Sequence, residues 1–138
     1  MSTRIPFICV LAAALLGSGL AQAATAPAAA PVPHGDVVKG KATFNQQCML
    51  CHSSVAGQEG AAPSLFGVVM RRAASDPGYP GYSRALKASG LTWTTGNLNS
   101  FLSGPAKLVP GTAMPITVNA PQDRANIIAY LASLKGTH

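Results

Sequence analysis

The chain has few acidic residues and few charges of either sign. Its 138 residues include 4 Asp or Glu against 10 Lys or Arg, so the formal net charge is +6 and only 10% of positions are charged. This length excludes a multi-domain enzyme, because a single core typically takes about 100–150 residues. No nucleic-acid-binding motif accompanies the basic excess, so we expect no nucleic-acid partner.

No apolar run in the sequence is long enough for a membrane-spanning helix. The longest covers 14 residues, 7–20, whereas a span needs about 20 mostly apolar residues. Arg4 precedes this run and a small-x-small triplet at 21–23 follows it, which is the pattern of an export signal. We therefore expect a signal peptide over residues 1–23, cleaved after Ala23, a periplasmic location and no stable membrane insertion. An uncleaved N-terminal anchor is the alternative.

The next segment, residues 24–34, consists mostly of Ala and Pro. Such a composition cannot form a core and is typical of an extended tether. The sequence therefore predicts one ordered domain over residues 35–138. After cleavage the chain would keep 9 basic against 4 acidic residues, a formal net charge of +5.

Cysteine is also scarce. Cys9 lies in the predicted signal peptide, so only Cys48 and Cys51 remain in the mature chain. A disulfide between them would close a very small loop and stabilise little, and the flanking residues lack the strand pattern that a thioredoxin-like pair requires. A zinc site needs more ligands, and the remaining histidines, His34 and His138, lie towards the two ends of the mature sequence.

The residue after the second cysteine distinguishes between these possibilities. Residues 48–52, Cys-Met-Leu-Cys-His, form the C-x-x-C-H pattern of covalent haem attachment. Two thiols at this spacing reach the two vinyl groups on one side of a porphyrin, and the histidine that follows gives the iron an imidazole ligand. We therefore predict one haem c, bound through Cys48 and Cys51, with His52 as an iron ligand.

The iron then needs a sixth ligand, or it keeps an open position for a gas or peroxide. Met49 lies inside the attachment turn and Met70 lies beside two arginines. Met114 is framed by Pro110-Gly111 and Pro115, which hold a loop rigidly. This frame favours Met114 as the second iron ligand, and an open-site haem protein is the alternative.

Helical signals occur in four segments, and no segment alternates as a central strand does. We predict a helix from an Asp36 cap to about Gln47, a short helix over 82–88, a helix capped by Thr94 or Thr95 that ends at Gly104-Pro105, and a C-terminal helix after a capping box at 119–122. Gly40 is expected to let the first and last helices cross closely. The fold class is therefore all-α.

These features together resemble the small soluble class I cytochromes c. The resemblance runs from about Gly35 to Leu134 and depends on the attachment motif, the proline-framed methionine and their separation. The stretch 62–67 between them resembles the haem-side loop of that family. The resemblance implies a cytochrome c fold, with three to five helices and loops wrapped around one covalently attached haem.

The resemblance also implies individual roles around the haem. His52 would be the proximal ligand and Met114 the distal one, with the Pro63 carbonyl accepting the N–H of the histidine. Arg71, Tyr82 and Trp93 fall where the family neutralises or hydrogen-bonds the haem propionates. Thr112 would donate to a propionate or cap the ligand loop.

The expected function is one-electron transfer rather than catalysis, because two axial ligands leave no position for a substrate on a low-spin iron. We expect a monomer that binds redox donors and acceptors transiently, with Lys39, Arg72, Lys87 and Lys107 as candidate docking groups. A haem subunit permanently bound to a larger dehydrogenase or oxidase complex is the alternative.

Aromatic residues are few as well, with seven left after the signal peptide. A domain of about 100 residues has a marginal core. A covalently held porphyrin would supply the missing apolar centre, so we predict that the apoprotein is largely unfolded.

Overall fold

The computed structural model describes residues 33–135, so the predicted signal peptide and all but the last two residues of the tether lie outside the described residues. Five helices follow one another in this range: α1 (Val37–Gln47), α2 (Arg84–Ala88), α3 (Thr95–Ser103), α4 (Pro105–Leu108) and α5 (Pro121–Ser133). Extended pairing is limited, within these residues, to one antiparallel bridge between Arg72 and Thr92. The prediction of an all-α domain is confirmed. No helix between 33 and 135 is both long and apolar enough to cross a membrane.

The first and last helices cross at very close range. The Asp36 side chain caps α1 as predicted, and its backbone N–H donates to Asn126 Oδ1 of α5 at 2.8 Å. A Cβ atom on Gly40 would lie 1.9 Å from the Asn126 carbonyl oxygen, so only glycine allows this approach. Phe44 is fully buried and its ring centroid lies 5.2 Å from that of Tyr130. The predicted crossing at Gly40 is therefore present.

The predicted capping box before α5 is wrong. The N-cap residue is Ala120, which makes no side-chain cap, and the helix begins at Pro121. Proline is tolerated at the first helical position because its missing N–H would have no partner there. Arg124 holds the preceding turn instead, since its Nη1 donates to the carbonyls of Val118 at 2.8 Å and Asn119 at 2.7 Å.

Of the two predicted central helices, one matches the prediction at both ends and the other differs at its start. Thr94 caps α3 as predicted, accepting the Asn97 N–H at 3.1 Å. The short helix begins at Arg84 rather than at Tyr82, because the Ser83 hydroxyl accepts the N–H of the third residue after it. The single turn α4 was not predicted, and it follows directly from the Gly104 that ends α3.

Two regions enclose the core. We call α1, α3 and α5 the helical frame, and residues 48–83, which contain no helix, the loop wall. The frame supplies most of the buried apolar side chains, and the loop wall adds Val68 and Ala73. One side of this core faces a cavity that lies between the frame and the wall.

Candidate haem site

The cavity between the helical frame and the loop wall has a volume of about 320 Å³, which lies within the range of about 300–1,000 Å³ for ligand pockets. Its inner wall is apolar and comes from the frame, with Leu98, Phe101, Leu102, Ile127 and Leu131. All nine site residues predicted from the sequence lie on the cavity lining: Cys48, Cys51, His52, Pro63, Arg71, Tyr82, Trp93, Thr112 and Met114. The fold thus brings together residues that are up to 66 positions apart in the chain.

The attachment turn follows directly from the end of α1. Cys48 is the C-cap residue, and the backbone N–H of His52 donates to the Cys48 carbonyl at 2.9 Å. This tight turn places both thiols and the imidazole on the cavity. Both cysteines are free. Burial raises the pKa of the Cys48 thiol to about 11.

The ring of His52 is oriented by a backbone carbonyl. Its Nδ1 lies 2.7 Å from the Pro63 carbonyl oxygen. Since a carbonyl oxygen only accepts, Nδ1 carries the proton and Nε2 keeps a free lone pair for a metal. Burial lowers the pKa of His52, while the bond to Pro63 and the charge of Glu59 act in the opposite direction. The neutral imidazole favoured by burial is the form that binds metals.

The three methionines in the described range lie in different surroundings. Met49 and Met70 are 55% and 63% exposed, and neither lines the cavity. Met114 lines the cavity and packs against the buried core. Its loop is closed locally, because the Thr112 hydroxyl accepts the Met114 N–H at 3.4 Å. Met114 is thus the one described thioether available to a group in this cavity.

Arg71 lines the cavity but is already held by the protein. Its Nη1 donates to Asp76 Oδ2 at 2.9 Å and its Nη2 donates to the Ser64 carbonyl at 2.9 Å. The guanidinium is therefore fixed on the loop wall and paired with a carboxylate. The sequence interpretation, which assigned Arg71 to the cofactor carboxylates, did not include Asp76.

The other two predicted donors lie in contact with aromatic rings. Trp93 is 8% exposed, and its ring centroid lies 4.9 Å from that of Phe101. Tyr82 stacks edge-on against Tyr79 with ring centroids 5.0 Å apart. Burial raises the pKa of Tyr82, and the positive charge of Arg71 partly opposes this shift.

Three polar residues of the loop wall were missed by the sequence interpretation. Ser64 is buried, and its hydroxyl donates to the Val55 carbonyl at 2.8 Å. The Glu59 carboxylate accepts the Ser64 N–H, and Asp76 pairs with Arg71. One signal was available, since Glu59 and Asp76 are two of only four acidic residues in the chain and flank Arg71 in sequence.

The donors on the cavity fit a covalently attached haem. One cavity with an apolar inner wall is lined by two free thiols, by an imidazole whose Nδ1 is hydrogen-bonded to a backbone carbonyl, and by a thioether. A metal site built from protein ligands alone does not fit, because residues 33–135 contain no group of three or more His, Cys, Asp or Glu side chains that could hold a metal ion.

Comparisons with known proteins give the same result. The family model described as "Cytochrome c" matches residues 37–135. Cytochrome c2 of Rhodopila globiformis is 46% identical over 104 residues, which covers 75% of this chain and 97% of that protein. Cytochrome c2 of Rhodomicrobium vannielii is 42% identical over 125 residues, covering 89% and 94%. The solved structure of cytochrome cH from Methylobacterium extorquens matches with a TM-score of 0.66 and 40% identity, covering 72% of this chain and 99% of that one.

Proposed function

This chain belongs to the cytochrome c family, and from that premise we propose that it is a periplasmic one-electron carrier with a low-spin iron ligated by His52 and Met114. Membership of this family shows the general activity of the chain and its cofactor. The chain is a mono-haem c-type electron-transfer protein rather than an enzyme, and the predicted haem c cofactor is confirmed.

The observation that carries the proposal is the convergence of His52 and Met114 on the same cavity as the two attachment thiols. When bound, haem supplies an iron that changes between the ferrous and ferric states. The Pro63 carbonyl accepts the N–H of His52 Nδ1, which would leave Nε2 to coordinate the iron. The Thr112 hydroxyl accepts the backbone N–H of Met114 in the loop that carries its thioether. With both residues bound to the iron, no position would be left for a substrate.

The surroundings of the iron favour its reduced form. The apolar inner wall excludes water and disfavours the extra positive charge of ferric iron, and a thioether ligand acts in the same direction. We therefore expect a raised reduction potential. A rigid wall also limits the rearrangement that accompanies each change of oxidation state.

We propose that partners approach where the cavity reaches the surface. Cys51, Ala113 and Ile116 line the cavity and are exposed, so a porphyrin held there would present an edge to another redox protein. The basic residues named as candidate docking groups, Lys39, Arg72, Lys87 and Lys107, are all exposed as well. Their charge would steer acidic partners and make association depend on salt concentration.

The ligation is tested with two methionine variants of the holoprotein. We expect the oxidised wild-type protein to have the far-red charge-transfer band of methionine-ligated haem. Met114→Ala should lose this band and become high-spin, whereas Met70→Ala, at an exposed methionine away from the cavity, should keep it. High-spin bands in the wild-type protein would instead support the open-site alternative.

The location and the mode of partner binding need separate measurements. Mass spectrometry of the protein from a periplasmic fraction should give a mature chain that begins at Ala24 and carries one haem. Gel filtration of a native extract should give a monomer. Co-elution with a larger dehydrogenase or oxidase at all salt concentrations would replace the free carrier with the bound-subunit alternative.

A further inference from the structure

The positive charge of Arg71 on the cavity wall is matched by a carboxylate. Arg71 lines the cavity, whereas Asp76 does not. Asp76 Oδ2 lies 2.9 Å from Arg71 Nη1, and the side chains are 26% and 14% exposed. Since the carboxylate is largely withdrawn from water, salt screens its field less than that of a surface charge.

Both members of this pair are held in place by the backbone. Arg71 Nη2 donates to the Ser64 carbonyl at 2.9 Å and Nη1 also donates to the Phe66 carbonyl at 3.3 Å. The other oxygen of Asp76 accepts the Gly78 N–H at 3.1 Å. Neither charge can therefore move away easily when the charge on a neighbouring group changes.

We propose that Asp76 is a positioning residue that lowers the reduction potential of this cytochrome. Its carboxylate offsets the charge of Arg71 beside the cofactor and keeps the guanidinium on the loop wall, where it is not free to pair fully with a cofactor carboxylate. Because a negative charge stabilises the more positive ferric state, the pair with Asp76 counteracts the increase in potential that an unpaired Arg71 would produce. The proposal rests on the electron-carrier function and adds a residue that sets its potential.

The test is a redox titration of holoprotein variants monitored by absorbance. Asp76→Asn should shift the midpoint potential upward, so that a larger fraction is ferrous at the same ambient potential. Arg71→Gln should shift it downward. The double variant should lie close to the wild type, because the two removed charges are opposite and adjacent.

Asp123→Asn is the matched control. It removes the same charge from the first turn of α5, away from the cavity lining. We expect a smaller shift for Asp123→Asn, and one that disappears at high salt, whereas the shift for Asp76→Asn should persist.

Equal shifts for the two Asn variants would overturn the proposal, as would a loss of unfolding free energy in Asp76→Asn without any change of potential. The far-red band separates this failure from failure of the proposed function. If the band is intact and the potential does not move, the carrier function stands and the role of Asp76 does not.

Discussion

In the helical frame, α1 and α5 approach so closely that a methyl group on Gly40 would lie 1.9 Å from a carbonyl oxygen of the facing helix. In the loop wall, by contrast, side chains bond to the backbone of neighbouring loop segments. Ser64 donates to the Val55 carbonyl, Arg71 donates to the Ser64 carbonyl, and the Tyr79 hydroxyl donates to the Ala61 carbonyl at 3.0 Å. The frame is therefore organised by close packing and the wall by polar contacts.

The helical frame and the loop wall contribute different things to the cavity. The frame brings the first and last helices together and presents an apolar surface to the cavity. The loop wall carries the attachment turn and the groups that orient it, and it has few apolar side chains of its own in the core. We infer that the wall depends on the cofactor for its shape more than the frame does.

The largest effect should come from removing covalent attachment. In a Cys48→Ala, Cys51→Ala variant, loss of the cofactor would leave a cavity of about 320 Å³. At about 24 cal/mol per Å³ this costs up to about 8 kcal/mol, which is comparable with the whole stability of a domain, about 5–15 kcal/mol. We expect circular dichroism to show a largely unfolded chain. Native-like helical content with cooperative melting would mean that the frame folds without the cofactor.

A substitution at the helix crossing should have the next largest effect. Gly40→Ala must push α1 away from α5, and overpacking of this kind costs about 1–3 kcal/mol or more. Gly96→Ala is the matched control, because its Cβ would meet nothing closer than 3.9 Å and alanine is favoured over glycine in a helix by about 0.5–1 kcal/mol. Guanidinium unfolding of both holoproteins checks this. Equal stabilities would show that the close crossing is not needed.

A substitution in the loop wall should cost less. Ser64→Ala leaves the Val55 carbonyl and the Phe66 N–H without their hydroxyl partner. Val55 is exposed and Phe66 is half-buried, so water can replace the hydroxyl there, and the cost should be about 0.5–1.5 kcal/mol, the net contribution of a typical hydrogen bond. Ser103→Ala, at an exposed serine of α3 that bonds its own helix, should change the unfolding free energy by no more than about 0.5 kcal/mol. Equal losses of unfolding free energy in the two variants would show that the hydrogen bonds of Ser64 in the loop wall add no stability beyond that of an exposed serine.

The smallest effect concerns alkaline pH. Burial raises the pKa of Tyr82 above its ordinary value of about 10. Above that pH the folded chain keeps a proton that the unfolded chain has lost, so stability falls as pH rises towards the folded pKa. Tyr82→Phe should make this decline less steep in urea unfolding between about pH 9 and pH 11. An unchanged slope would show that Tyr82 is not held in its neutral form.

Local signals predicted the parts of the fold that depend on local contacts. The Asp36 cap of α1 and the Thr94 cap of α3 bond to backbone groups two or three residues away, so they can be inferred from a short stretch of sequence. The start of α5 could not be inferred in this way, because no side chain caps the helix and the turn before it is held by Arg124 from within the helix, which donates to the Val118 and Asn119 carbonyls. The short turn α4 has too few residues to produce a periodic pattern.

The cofactor chemistry could be inferred from residues 48–52 alone, because two thiols and an imidazole at this spacing form the pattern of covalent haem attachment. The sequence also favoured Met114 through the prolines around it. Two features are visible only in the folded chain: Met114 reaches the cavity while Met49 and Met70 face solvent, and Arg71 is paired with Asp76. Burial and charge pairing depend on distances between segments that are far apart in the sequence, and only folding sets these distances.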